Sequence, residues 1–309
     1  MIDPREASRV PLRRSTARSM LASMLLAGLC LAAQSPGGNA KLKPVVRQVD
    51  HVLVQSGDPA SLFDFLAGTL HLPVAWPVAE YSGFVSGGVG AGNVNIEVFR
   101  LADQKNSAPG PQAQARFIGL AFEPFRLADC LPELQARGIE HGPPQDYIST
   151  LPNGSRGTLW TNVVLTRLSK PGLSVFLCEY NPAFLHAEIR RNQLGGQLVL
   201  KQGGPLGIKS VREIVIGAKN LKTWSPDWQK LLSPSAQSPA ALWQAGSGPA
   251  IRMVSDSSDR IQRIIFKVKS LKAACSFLAE NQLLGAVSAE EAAVKPGKIQ
   301  GLSICLSEK

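Results

Sequence analysis

What this chain lacks narrows its chemistry. Its five cysteines contain no C-x-x-C pair, so neither a cysteine zinc site nor a redox dithiol has a sequence basis. Each cysteine falls inside an apolar run, the setting of a free, buried thiol that packs as a hydrophobe. Aromatic residues make up only 6% of the chain, and no Lys/Arg stripe interleaves with them, so nucleic-acid binding is not expected. Histidine is rarer still, at four residues: His51, His71, His141 and His186. No apolar run reaches the roughly 20 residues of a membrane-spanning helix, and no transmembrane span is expected in the mature chain.

What is present points to a soluble, folded protein with an exported leader. Hydrophobic residues make up 44% and charged residues 18% of 309, which suits sizeable cores and about two domains. The net charge is +10, but Arg5, Arg9, Arg13, Arg14 and Arg18 against Asp3 and Glu6 place +3 of it in the first 40 residues. Those arginines precede an apolar stretch at 20–33 and then small residues and turn formers, the layout of a secretory signal. Export, with the bacterial periplasm as destination, is the expectation; a disordered tail at 1–40 or a mis-assigned start is the alternative, and a mis-assigned start would leave the protein cytoplasmic.

The chain also rhymes with itself. Leu173-Ser174-Val175-Phe176-Leu177-Cys178-Glu179-Tyr180 matches the C-terminal Leu302-Ser303-Ile304-Cys305-Leu306-Ser307-Glu308-Lys309 almost position for position. Upstream of each lies a strand-like run leading into a helix-like run, at 117–137 and 263–281. The same opening recurs at 46–70 and 211–232, so four copies of one α+β unit are expected. In the first copy, Asp58 can cap a helix with its apolar stripe at Leu62, Phe65, Leu66 and Leu70. Asn93-Val94-Asn95-Ile96-Glu97-Val98 then alternates cleanly as a strand. Residues 104–115 read as a connector. The Gly-rich stretch at 87–92 lacks the dinucleotide-binding pattern and reads as a flexible hairpin.

Val49-Asp50-His51-Val52-Leu53-Val54, Leu72-Pro73-Val74-Ala75-Trp76-Pro77, Gly83-Phe84, Asn93 to Glu97, Gly119 to Glu123 and Phe176 to Tyr180 together resemble the vicinal oxygen chelate superfamily, which groups glyoxalases, bleomycin-resistance proteins and extradiol dioxygenases. The resemblance implies an α+β fold in which tandem βαβββ modules pair into cup-shaped sheets. Two such domains are expected, at 46–190 and 208–309, joined by a linker at 191–207. It also implies a divalent metal (Zn, Mn, Fe or Ni) held by His51, Glu97 and Glu179, residues that match family ligand positions on the first and last strands of the modules. One histidine with two carboxylates suits such a cation and leaves positions open for a chelating substrate. Asn95, Trp76, Tyr81, Phe84 and Trp160 are the expected small-molecule contacts.

Each residue has a plainer alternative. His51 beside Asp50 could be a satisfied structural histidine, Glu97 could face solvent, and the aromatics could be core. Glu179 shares its place with Glu308 at the C-terminus, which looks structural. The pattern also departs from the family at Gly119, where many members carry a second histidine. In the second half, Glu213 aligns with His51 and Arg252 with Glu97; that pair makes an ion pair rather than a metal site. Two functions stay open: a metal-dependent lyase, isomerase or dioxygenase for an oxygen-chelating substrate, or a metal-free protein that sequesters a small molecule. A homodimer is compatible with either.

Overall fold

The structure, a computed structural model, describes residues 43–81, 83–102, 114–235 and 241–309. The leader at 1–40 and nearly all of the connector at 104–115 lie outside the described residues. The first module comprises β1 (Val46–Ser56), α1 (Pro59–Asp64), β2 (Val74–Tyr81), β3 (Phe84–Gly90) and β4 (Asn95–Leu101). The second comprises β5 (Ala115–Pro124), α2 (Leu127–Ala136), β6 (Gln145–Thr150), β7 (Arg156–Val164) and β8 (Ser174–Tyr180). After α3 (Ala187–Leu200), the third module runs through β9 (Ile208–Ala218), α4 (Leu221–Leu232), β10 (Leu242–Gln244) and β11 (Ala250–Ser255). The fourth has β12 (Arg260–Val268), α5 (Leu271–Glu280), β13 (Leu284–Val287), β14 (Ala292–Val294) and β15 (Ile304–Ser307).

Modules pair as the repeat implies. One sheet has the order β2-β3-β4-β1-β5-β8-β7-β6 and the other β10-β11-β9-β12-β15-β14-β13. In each, the first strands of two modules meet antiparallel at the centre, and each is flanked by the parallel last strand of its own module. Antiparallel hairpins then extend the first sheet on both sides.

Local chemistry sets the helix starts. The Asp58 carboxylate accepts from the Ser61 N–H at 3.1 Å, and Pro59 supplies a preset φ in the first turn. Asn220 and Ser270 cap α4 and α5 in the same way. The N-cap of α2, Arg126, provides no side-chain bond, and the orphan N–H of Leu127 is taken by Glu179 Oε1 at 2.9 Å. In the fourth module Glu308 Oε2 accepts from Leu271 N at 2.9 Å. The repeated glutamate therefore has the same structural role in both modules. It satisfies a first-turn donor and places negative charge at the helix N-terminus.

The helix-facing sides of both sheets share a continuous core, and residues Lys43–Lys309 form one compact unit. Trp228 of α4 meets Phe122 of β5 edge-on, 6.3 Å between centroids, so the halves are joined by packing. Much of the expected linker is the helix α3, which buries Arg191, Leu194 and Leu198. Asn93 ties the halves at the backbone, donating to Val211 O and accepting from Val211 N, each at 3.0 Å. The stretch at 87–90 is no hairpin but part of β3. A Cβ on Gly88 would sit 2.5 Å from the Trp76 ring, so glycine there lets the indole lie flat on the sheet. Cys130, Cys178, Cys275 and Cys305 are free thiols. Among the described residues no helix is long and apolar enough to cross a membrane.

Candidate functional site

The site lies on the concave face of the first sheet, and strand register decides who is there. One row runs Asn95 (β4), His51 (β1), Ala121 (β5) and Phe176 (β8); the next runs Gly88, Glu97, Leu53, Gly119 and Ser174. Leu53, Ala121, Phe176, Cys178, Trp160 and Tyr180 cluster on this face, whereas Val49, Val52, Val54, Val175 and Leu177 point to the helices.

His51 and Glu97 do meet, with Nε2 and Oε2 3.4 Å apart. The other ring nitrogen, Nδ1, lies 2.6 Å from Asp50 Oδ2, which also accepts from the Tyr180 hydroxyl at 3.0 Å. Irregular register beside residue 50 turns Asp50 beneath the ring. Behind it, Arg191 of α3 bonds Glu123 Oε2 at 2.5 Å and lies 3.6 Å from Asp50 Oδ1. Above, Glu97 Oε1 accepts from Ser86 Oγ at 2.7 Å, and Ser86 Oγ accepts from Trp76 Nε1 at 3.0 Å. A continuous polar ladder thus runs Trp76, Ser86, Glu97, His51, Asp50 and Arg191 through the sheet.

Burial and charge compete along this ladder. Burial alone would lower the His51 pKa, but the hydrogen bond to Asp50 and the charges of Asp50 and Glu97 outweigh it and hold the imidazole above its usual value. Burial alone would raise Asp50; the bond and charge of His51, then Arg191 and Tyr180, outweigh it and hold the carboxyl below the usual range. Burial and neighbouring carboxylates push the Cys178 thiol and the Tyr180 phenol well up, so both are neutral. The floor of the cup stacks Glu97, His51 and Asp50 in contact.

The third expected ligand is elsewhere. Glu179 lies on the helix side of β8, where it caps α2, one residue out of phase with the concave face. The concave positions of β5 and β8 nearest His51 carry Ala121 and Phe176, whose ring stands edge-on to the imidazole, 5.7 Å between centroids. Among the described residues no group of three or more His, Cys, Asp or Glu could hold a metal ion. The residues present therefore supply two convergent donors and do not fit the expected three-ligand metal set. Nor do the three remaining histidines supply a donor: His71 is exposed in the loop before β2, His141 bonds the Gly142 carbonyl and His186 stands at the start of α3.

The aromatic residues form the walls. Tyr81 stacks on Phe84 (5.0 Å, 14°), Phe84 meets Phe99 at 5.4 Å, and Tyr147 stacks on Trp160 (4.2 Å, 8°). Phe84, near one end of the sheet, touches Tyr147 of β6 at the other, 6.1 Å apart, so the sheet curls until its ends meet. Trp76, Phe84 and Trp160 are half-buried and Tyr81 is 37% exposed, which leaves ring faces available to a ligand. Asn95 lies beside His51 in the same row. Sequence reasoning missed Asp50 as the orienting carboxylate, Ser86, Tyr147 and Arg191. The Asp50-His51 dipeptide was a usable signal; Arg191 gave none.

No protein-family model and no curated protein matches the sequence. Solved structures do match. The 2,3-dioxygenase LapB from Pseudomonas sp. KL28 superposes with a TM-score of 0.52 at 11% identity, over 85% of this chain and 92% of that one. Homoprotocatechuate 2,3-dioxygenase from Brevibacterium fuscum, in complex with 3,4-dihydroxyphenylacetate, gives 0.53 at 9% identity, over 89% and 83%. The Mn(II)-bound glyoxalase from Novosphingobium aromaticivorans gives 0.50 at 13% identity, over 85% and 82%. The class is thereby defined: the chain has the two-domain, paired-βαβββ fold of the vicinal oxygen chelate superfamily. On that fold the described residues place a two-donor His51/Glu97 floor beneath aromatic walls.

Proposed function

We propose that the first domain binds a small, ring-bearing organic molecule in its cup without a three-ligand metal, in the manner of the metal-free members of this fold. The observation that carries this reading is the row His51–Ala121–Phe176: an apolar ring and a methyl stand where the second module would supply donors. The walls offer flat faces for stacking, and Glu97 at the floor offers an acceptor to a hydroxyl or amine. His51, held by Asp50, keeps Glu97 oriented.

A second reading has its own observation. His51 Nε2 and Glu97 Oε2 face one point while Asp50 fixes Nδ1, the outer arrangement that ligating histidines use. A divalent cation there would have two protein ligands, and this is the sense in which the fold's metal chemistry supports a cofactor. Elemental analysis of leader-free protein, purified without chelator, beside His51→Ala and Glu97→Ala, separates the two. We expect substoichiometric metal, and saturable quenching of tryptophan fluorescence by 3,4-dihydroxyphenylacetate in EDTA that Trp160→Ala weakens. Stoichiometric Mn, Fe, Ni or Zn that both substitutions remove would overturn the metal-free reading. The basic-then-apolar leader supports export to the periplasm, which fractionation of the expressed full chain tests.

A further inference from the structure

The second sheet carries the same positions with the charges exchanged. Its matching rows are Ala250, Glu213, Ile265 and Cys305, then Arg252, Val215 and Arg263. Glu213 thus stands where His51 does, Arg252 where Glu97 does, and Arg263 where Gly119 does. Arg212, which precedes Glu213 as Asp50 precedes His51, reaches the same face and donates to Ser307 Oγ at 2.7 Å. Lys267 lies two residues beyond Ile265 on that face of β12.

These groups form one open chain rather than isolated pairs, since Arg212 Nη2 lies 4.0 Å from Glu213 Oε1. Arg252 grips Glu213 with Nε and Nη2 at 2.7 and 2.8 Å. Glu291 bridges Arg212 at 3.3 Å and Arg263 at 3.0 Å. The carboxylate of Glu213 is buried, at 5% exposure, whereas Arg212, Arg252 and Arg263 are 28%, 31% and 39% exposed. Glu213 therefore lies deep, while the three arginines, with Glu291 at 22% exposure between two of them, lie nearer the mouth. Three arginines and Lys267 face Glu213 and Glu291, with Glu290 near Arg212 but paired with Lys309, and each arginine engages at most two of its three guanidinium nitrogens in these bonds. The surplus of charge and of fixed N–H donors matches a planar or tetrahedral oxyanion. The strands at the two ends of this sheet are short, three residues in β10 and four in β13.

We propose that this second cup is an oxyanion site, taking the carboxylate or phosphate group of a small soluble molecule between Arg212, Arg252 and Arg263. It is independent of the first cup and of what that cup binds. The test is calorimetric titration of the leader-free protein with inorganic phosphate and, separately, succinate, at constant low ionic strength set with potassium chloride. One saturable site with a roughly millimolar Kd is expected, as befits a half-exposed site with a few charge-assisted bonds. Arg263→Gln should weaken it about fivefold to tenfold, and Glu291→Gln should tighten it a fewfold, each variant first shown to melt cooperatively. Arg260→Gln, on a 58% exposed arginine paired with Asp256 outside this network, should change affinity less than twofold. Saturation by one probe alone assigns the chemistry to that group. No saturable binding of either probe, or equal weakening by Arg260→Gln and Arg263→Gln, would overturn the proposal and leave these groups as a purely structural ion-pair network.

Discussion

Phe176→Glu should convert the first cup into a metal site. Phe176 is 7% exposed and its ring abuts His51, so a carboxylate there joins His51 and Glu97 from the one direction that now lacks a donor. Without metal the change is costly. Losing a buried phenylalanine side chain removes about 3–5 kcal/mol, and an unpaired carboxylate near Asp50 and Glu97 adds to it. At ~2–4 °C per kcal/mol for a chain of this size, the melting temperature in EDTA should fall by about 10–20 °C. Metal at about 100 times its Kd returns ~2.7 kcal/mol, so Mn²⁺ or Zn²⁺ should restore roughly 5–10 °C to the variant. The wild type, with two donors, should respond far less. Scanning calorimetry with EDTA or metal, and elemental analysis after desalting, read both effects. A variant that gains neither metal nor thermal protection would refute the claim that β8 aims position 176 at the His51–Glu97 point. A wild type that responds as strongly as the variant would refute the claim that Phe176 closes the site.

Other expectations follow from the same geometry. Arg191→Met deprives the buried Asp50 and the half-buried Glu123 of their shared arginine and should cost about 3 kcal/mol in urea denaturation; a loss below about 1 kcal/mol would mean the ladder does not depend on it. Glu179→Ala removes the α2 cap and should cost about 1 kcal/mol while leaving ligand binding in the cup unchanged, and a selective loss of binding would return Glu179 to the site. Stability should be pH-dependent on both sides. His51 is raised, so its contribution is complete below about pH 6.5 and declines as pH rises through its higher folded value. Asp50 is lowered, so its contribution is present above about pH 3.9 and is lost as pH falls through its lower folded value. His51→Gln should flatten the alkaline side of the melting profile, and an unchanged profile would show that the imidazole is not paired.

The repeat was legible because each module needs the same apolar strand and helix stripe to build the same interface. The helix caps at Asp58, Asn220 and Ser270 are local chemistry of the same kind. His51 and Glu97 were legible because both sit on the module that keeps its polar strand face. Glu179 was misassigned for a physical reason: alternation says which residues share a face, and a shift of one residue exchanges the faces. Its echo at Glu308 carried the correction, since two glutamates at one place in a repeat serve what the modules have in common, a helix start.

By itself, then, the sequence determined the modules, their number and the residue types each could offer, because periodicity and capping act over a few residues. Only the tertiary structure decided which donors converge. It brought Arg191 from a helix between the halves under Asp50, set Phe176 against His51, and curled the first sheet until Phe84 met Tyr147. Those meetings depend on strand register and sheet curvature, which follow from packing among residues far apart in the chain.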